Sequence, residues 1–244
     1  MKKILIFTLL LICLITSVFA LDSKEILDRM EKEMDFSSAS FSATIVNTDK
    51  LGSTKLTFDT YQKGNGDTLL IVTSGSDKGQ KILRLDEEIY IFYPNADEII
   101  RLSSSGLKES FLGSDFSYED LTGDDDYDER YSHSLSEEET LNDIDCFVIS
   151  MDAKKRSETY QKETIYIAKD SFLPVKMSLY SKSGRLLKEI YYSNYITDNG
   201  THYPTHIEIT NAVKKSSYSV MDITSISFGV ELDADLFNKE ELAW

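Results

Sequence analysis

The stretch LPVKMSLYSKSGRLLKEIYYSNY, Leu173 to Tyr195, reads as two β-strands joined by a turn. Val175, Met177 and Leu179 alternate with Lys176 and Ser178, the period-two pattern of a strand with one apolar face. Ser183-Gly184-Arg185 interrupts the alternation, and Leu186 to Tyr195 resumes it. The same grammar extends in both directions. Thr159–Ala168 precedes this hairpin across Lys169-Asp170-Ser171. Tyr203–Asn211 follows Asp198-Asn199-Gly200, with Ile207 and Ile209 opposing His206 and Glu208, and Ser217–Phe228 is a last strand. Pro174 and Pro204 stand at strand starts, where the missing N–H is tolerated.

Further towards the N-terminus the pattern persists in shorter pieces. Phe41, Ala43 and Ile45 alternate with polar neighbours, and Leu56 and Phe58 oppose Thr57 and Asp59. Gly64-Asn65-Gly66-Asp67 marks a hairpin turn before Thr68–Thr73. Turns at Gly75–Gly79, Asp86–Glu88 and Pro94–Asp97 separate Gln80–Leu85, Ile89–Tyr93 and Glu98–Leu102. Ser132–Ser136 and Cys146–Met151 add two more, making about ten or eleven antiparallel strands. No interval has the length of a βαβ crossover, so the class is mainly β.

Few segments can cover the apolar face. Asp22–Met34 is an amphipathic helix with Ile26, Leu27, Met30 and Met34 on one side, capped by Asp22 or Ser23. Ser103–Leu121 places Leu107, Phe111 and Leu112 at helical spacing. There Gly113-Ser114-Asp115 breaks the pattern and caps a new turn carrying Phe116, Tyr118 and Leu121. Asp233–Phe237 begins a short helical tail. A strongly curved sheet with a greasy concave face and so thin a cover either closes on a solid core or keeps a cavity for an apolar ligand.

The first residues read as an address. Lys2 and Lys3 precede an apolar run from Ile4 to Ile15, and Val18-Phe19-Ala20 suits a signal peptidase, predicting cleavage after Ala20 and a single domain over 21–244. The run falls short of the roughly 20 residues that span a bilayer. Cys13 raises lipidation as a rival, but bulky Ile12 precedes it and the apolar run continues beyond it. Without Lys2 and Lys3 the chain has 24 basic against 42 acidic side chains, a formal charge of −18. That balance argues against nucleic acid and against adsorption to anionic lipid through charge. Cys146 is then the sole cysteine, so the fold rests on its core without a disulfide. Its apolar neighbours make it a buried strand residue.

Catalytic and metal-binding patterns are lacking. His202 and His206 lie on a strand, about 13 Å apart at a rise of about 3.3 Å per residue, too far for one metal ion. His133 has no partner in sequence. Five carboxylates between Gly123 and Glu129 lack the spacing of a calcium loop and read as a solvated acidic turn. Ser114 lacks the G-x-S-x-G elbow and a nearby base. No cofactor and no metal is expected, and the chain is expected not to be an enzyme.

The order of parts resembles the outer-membrane lipoprotein-sorting proteins, the superfamily of the periplasmic lipoprotein carrier LolA. The likeness rests on Ile89-Tyr90-Ile91-Phe92-Tyr93-Pro94, on GSDFSYEDL from Gly113 to Leu121, and on the hairpins with Leu173-Pro174-Val175 and Tyr203-Pro204-Thr205. It implies an incomplete β-barrel with an N-terminal helix and a short helical lid over the concave face, holding the acyl chains of a lipoprotein or other lipid. It also implies an inner-membrane exporter and an outer-membrane acceptor as partners of a periplasmic monomer. Phe58, Ile91, Val175, Met177, Leu179, Ile207 and Ile209 from the sheet, with Phe111, Leu112 and Phe116 from the cover, are the candidate cavity residues. The alternative is a lipid-sensing or partner-binding module of an envelope transporter complex, without shuttling.

Overall fold

The computed structural model describes residues 21–64, 66–85, 88–103, 105–122, 126–214 and 216–243. The signal-peptide reading, Cys13 and part of the acidic turn lie outside them. Helix α1 (Ser23–Met34) starts where the sequence places it: the Asp22 carboxylate accepts from the Glu25 N–H at 2.8 Å and caps the first turn. Ile26, Leu27 and Met30 are its buried face.

Fourteen strands follow: β1 (Ser38–Asp49), β2 (Gly52–Lys63), β3 (Thr68–Val72), β4 (Lys81–Leu85), β5 (Glu88–Tyr93), β6 (Glu98–Arg101), β7 (Tyr131–Leu135), β8 (Glu139–Leu141), β9 (Ile144–Ala153), β10 (Lys162–Ala168), β11 (Pro174–Tyr180), β12 (Leu186–Asp198), β13 (Thr201–Asn211) and β14 (Tyr218–Phe228). They form one antiparallel sheet in the order β6-β5-β4-β3-β2-β1-β14-β13-β12-β11-β10-β9-β7, with β8 beside β9. The long-range joint is β1 on β14, registered from Ala39 opposite Phe228 to Thr48 opposite Tyr218. Everything else is hairpin-local or nearly so. Asn199 and Gly200, both at positive φ, form the tight turn that their sequence demands.

The sheet curls without closing. Ile91 from β5, Ile209 from β13 and Ile149 from β9 share one apolar cluster, yet the edge strands β6 and β7 do not pair. β-bulges at Ser42/Ala43, Tyr166/Ile167 and Leu179/Tyr180 sharpen the twist that permits this. The result is an incomplete barrel, with α1 and the segment between β6 and β7 on its concave side. The N-terminal strands are also covered outside. There the C-terminal 3₁₀ turn η3 (Ala234–Phe237) and the residues after it bring Phe237 and Leu242 onto Leu69, Leu83 and Phe92. Burial on both faces explains why β3 to β5 read as nearly continuous apolar runs.

The central insert departs from its expected form. Leu107, Phe111 and Leu112 do not share a helix. Two 3₁₀ turns, η1 (Gly106–Lys108) and η2 (Phe111–Gly113), are separated by extended Ser110, which bridges to Ser117. Leu112 adopts φ +48°, a left-handed conformation that ends the helical path. The following helix α2 (Tyr118–Thr122) is capped by Ser117 rather than Ser114 or Asp115. The Asp120 N–H donates to Ser117 Oγ at 3.2 Å, and the Ser117 N–H donates to Asp120 Oδ2 at 2.7 Å, a reciprocal capping box. A short helix α3 (Tyr127–Arg130) leads into β7.

Candidate functional site

The concave face is roofed in two parts. Helix α1 crosses it and is pinned at both ends by histidines. His133 Nδ1 of β7 lies 2.9 Å from Ser23 Oγ, and His202 Nδ1 of β13 lies 3.2 Å from Glu33 Oε2. Thr201 Oγ1 donates to the Asp35 carbonyl at 2.7 Å. The insert from η1 to α2 is the second part, and charge holds it. Asp120 accepts from Lys188 Nζ and from the Tyr160 hydroxyl, both at 2.6 Å, with the Asp120 side chain 3% and the Lys188 side chain 13% exposed. Burial, with Asp120 beside it, raises the Tyr160 hydroxyl pKa well above its ordinary value, so that group stays a donor.

Glu119, one residue earlier, reaches across the open seam of the barrel. It lies 3.6 Å from Arg84 of β4 and 3.0 Å from Arg130, which enters β7 and also binds Glu158 at 2.8 Å. The two sides of the sheet, whose edge strands β6 and β7 do not pair among the described residues, are thus clasped through the lid.

Beneath these parts lie two adjoining cavities of about 170 Å³ each. Gln62, Asp120, Leu121, Tyr192 and Tyr203 line both. The first is walled by Met30, Met34, Phe36, Phe41, Phe58, Ile207 and Met221, the second by Met177, Leu179 and Ile190. Thr60 lines the first, is 3% exposed, and its hydroxyl has no hydrogen-bond partner among the described residues.

Of the residues expected from sequence, Phe58, Met177, Leu179 and Ile207 line these cavities. Ile91, Phe111, Phe116 and Ile209 are fully packed in the main core, and Leu112 rests half-buried against it. Val175 joins neither apolar cluster: it is the extra residue of the Tyr166/Ile167 bulge, where the alternation slips. Phe111 and Phe116 therefore seal a filled core. Phe111 stands edge-on to Phe58 and Tyr118, and burial pushes the Tyr118 hydroxyl up to about 12. The void lies further along, under Leu121 and α1. Met30 and Met34 were visible as one helical face. Phe41 and Tyr192 were visible as strand residues, but only the closure of the sheet brings them together.

Ser114 is buried and its hydroxyl donates to the Phe111 carbonyl at 2.7 Å. Asp115 ties the lid to the β13–β14 hairpin instead of capping a helix. Its carboxylate accepts from Ser217 Oγ at 2.6 Å and Asn211 Nδ2 at 3.0 Å, and its N–H donates to Ser219 Oγ at 2.8 Å. Cys146 is buried, and desolvation raises its thiol pKa, away from the thiolate a nucleophile needs. No group of three or more His, Cys, Asp or Glu side chains suited to a metal ion occurs among the described residues. No helix among them is long and apolar enough to cross a membrane.

His206 sits between Asp222 Oδ1 at 2.6 Å and Glu208 Oε1 at 3.1 Å. Its hydrogen bond to Glu208, then that to Asp222, raises its pKa above the ordinary value. A raised native pKa contributes stability in full below about pH 6.5 and loses it as pH rises through the native value. His206→Gln should therefore lower the urea midpoint at pH 5.5 and leave it nearly unchanged at pH 9; an equal drop at both would show that the charge plays no part.

Solved structures with this architecture define the class. A LolA superfamily protein from Nitrosomonas europaea superposes with a TM-score of 0.78 at 26% identity, over 91% of this chain and 99% of its own. A domain from Vibrio parahaemolyticus, provisionally described as an outer membrane lipoprotein-sorting protein, gives 0.83 at 20% identity over 90% and 97%. A DUF1329 family protein from Desulfovibrio piger gives 0.82 at 23% identity over 89% and 96%. The fold is LolA-like, and the resemblance read from the sequence is borne out. A family model described as "-like: Uncharacterized protein" matches residues 64–244, about three quarters of the chain, and the chain belongs to that family. No curated protein matches it.

Proposed function

We propose that this protein is an exported, non-enzymatic carrier. It holds the acyl chains of a lipidated protein or a similar lipid under α1 and α2 and passes them towards the outer membrane. An inner-membrane exporter supplies the cargo, and an outer-membrane acceptor receives it. The observation that carries this reading is the paired cavity beneath a lid whose Leu121 end is fastened by charge. At about 170 Å³ apiece the cavities fall below the roughly 300 Å³ of an ordinary small-ligand pocket, so this state is the closed one. Cargo enters as the lid turns away at its Leu121 end, with Phe111 and Phe116 staying in the core as the hinge side.

Each methylene removed from water returns about 0.8 kcal/mol, enough for a short length of acyl chain to offset breaking the polar fastening. The cargo is an amphiphile and not a pure hydrocarbon. The Thr60 hydroxyl, buried without a partner, carries a penalty of about 1–3 kcal/mol that a carbonyl or hydroxyl of the cargo removes. Native mass spectrometry after gentle purification should find lipid on the protein, and delipidated protein should take up acylated peptide. Ile207→Trp, which fills the first cavity, should cut that uptake about tenfold or more with the fold intact, since a Trp leaves little room for methylenes worth about 0.8 kcal/mol each. Protein that carries no lipid and accepts none would refute the carrier reading in favour of a solid-cored, partner-binding module.

A further inference from the structure

The net charge of −16 is unevenly placed. Given the strand order, the connections β1–β2, β13–β14, β11–β12 and β9–β10 leave side by side from one rim of the sheet. They carry Lys50; Lys214; Lys182 and Arg185; and Lys154, Lys155 and Arg156, all exposed. None of these seven makes a salt bridge among the described residues, although Lys154 Nζ donates to the Asp128 carbonyl at 2.5 Å; Arg101, Lys169, Lys176 and Lys188, away from this rim, are paired. Of the acids at this rim, Glu158 is held by Arg130, Asp49 by the Leu51 N–H, Asp152 by Lys162 and Asp128 by Lys24, while Asp126 and Glu129 line one hollow with Lys155 and offset the cations of the β9–β10 connection. The opposite rim presents Asp35, Asp143, Asp170 and Asp198.

Among the described residues, three of the six large exposed apolar side chains stand at the basic rim: Leu51 at 97%, Val213 at 47% and Tyr218 at 46%. Thr48 pairs with Tyr218, which makes the β1–β2 and β13–β14 tips neighbours. Lys50, Val213 and Lys214 line one open hollow of about 530 Å³ together with Gly113 of the lid. A leucine at a hairpin tip satisfies no turn requirement and packs on nothing.

We propose that this rim docks on an anionic phospholipid bilayer, with Leu51 and Val213 in the headgroup layer and Lys50, Lys182, Arg185 and Lys214 against the phosphates. Whole-chain charge would forbid this, but distance undoes that argument. Strand β1 has 12 residues and spans about 40 Å at about 3.3 Å per residue, while salt screens charge within about 8 Å. The far acids therefore do not cancel the near cations; they turn the molecule so that the basic rim faces the membrane. Asp115 joins this hairpin to the lid, so docking and the lid share one rigid connection.

Flotation with vesicles of phosphatidylglycerol and phosphatidylethanolamine, against phosphatidylcholine alone, tests the proposal. The purified protein should float only with the anionic vesicles and release between about 0.05 and 0.5 M salt. Lys182→Gln with Arg185→Gln should weaken binding about 30-fold, and Leu51→Ser about tenfold, with unchanged urea midpoints. Lys169→Gln, on the far rim, should bind as the wild type. Equal binding to both vesicles, no binding, variants that float like the wild type, or capture by an acidic protein without vesicle binding would each overturn it. The cavity plays no part, so Ile207→Trp should still dock. Lost cargo uptake with retained docking refutes only the carrier reading, and the reverse refutes only this one.

Discussion

Phe111→Ala should lower the unfolding free energy by about 3–5 kcal/mol, the cost of deleting a fully buried aromatic ring whose site cannot collapse. The ring is 1% exposed, with its centroid 6.0 Å from that of Phe58 and 5.5 Å from that of Tyr118, both edge-on. Its backbone is fixed as well: the Phe111 N–H donates to the Phe116 carbonyl at 2.7 Å. Little around it can move into the hole. Neighbouring Leu112, half-buried, should cost only about 1 kcal/mol on the same change. Urea denaturation decides between them: the midpoint falls while the slope holds if both states keep their compactness. A loss near 1 kcal/mol for Phe111 would mean that the whole insert lifts readily from the sheet. The opening would then not pivot about Phe111 and Phe116.

Asp120→Ala should also cost about 3–5 kcal/mol, for a different reason. The Lys188 ammonium and the Tyr160 hydroxyl both end on this carboxylate in a nearly water-free place. Removing the acid strands a buried cation, and the penalty lies in the charge left behind more than in the bond lost. The double change Asp120→Ala with Lys188→Met should therefore be less harmful than the two single changes added, a coupling that a double-mutant cycle reads directly. Additive effects would show that the pair does not fasten the lid. Since α2 also loses its reciprocal cap with Ser117, Asp120→Asn, which keeps an acceptor, should fall between wild type and Ala.

Features whose causes are local could be read in the chain. The alternation of Val175, Met177 and Leu179 with polar neighbours, the Asn199-Gly200 turn, and Asp22 capping α1 each depend on a few adjacent residues. The turn and the cap appear as expected; the alternation holds for Met177 and Leu179, whereas Val175 is displaced because a bulge adds one residue to β11 and Ser178 is buried. The insert was misjudged for an equally physical reason. Helical spacing of Leu107, Phe111 and Leu112 says which residues are apolar together, but packing of Phe111 between Phe58 and Tyr118 overrode the helix, and Leu112 takes positive φ.

The candidate site was half legible. Phe58, Ile207, Met177 and Leu179 announce an inward face, but which inward residues border a void depends on how completely α1 and the lid fill the curve. Fourteen strands must first be summed into one register before Phe41 and Leu121 can meet. The same holds for Glu119 bridging Arg84 of β4 and Arg130 at the entry to β7, groups on the two sides of the open seam.

By itself, then, the sequence determined a meander of antiparallel strands with one apolar face, a capped N-terminal helix and a greasy insert. Period-two patterning, turn residues and caps act within a few residues of one another. Only the tertiary structure decided that the sheet curls without closing and that Asp120 and Glu119 fasten the lid by charge. It alone also placed the void beside Phe111 instead of beneath it, and gathered Lys50, Lys182, Arg185 and Lys214 with Leu51 on one rim. Those outcomes rest largely on contacts between residues tens to more than a hundred positions apart, where net charge and local pattern carry no information about who meets whom.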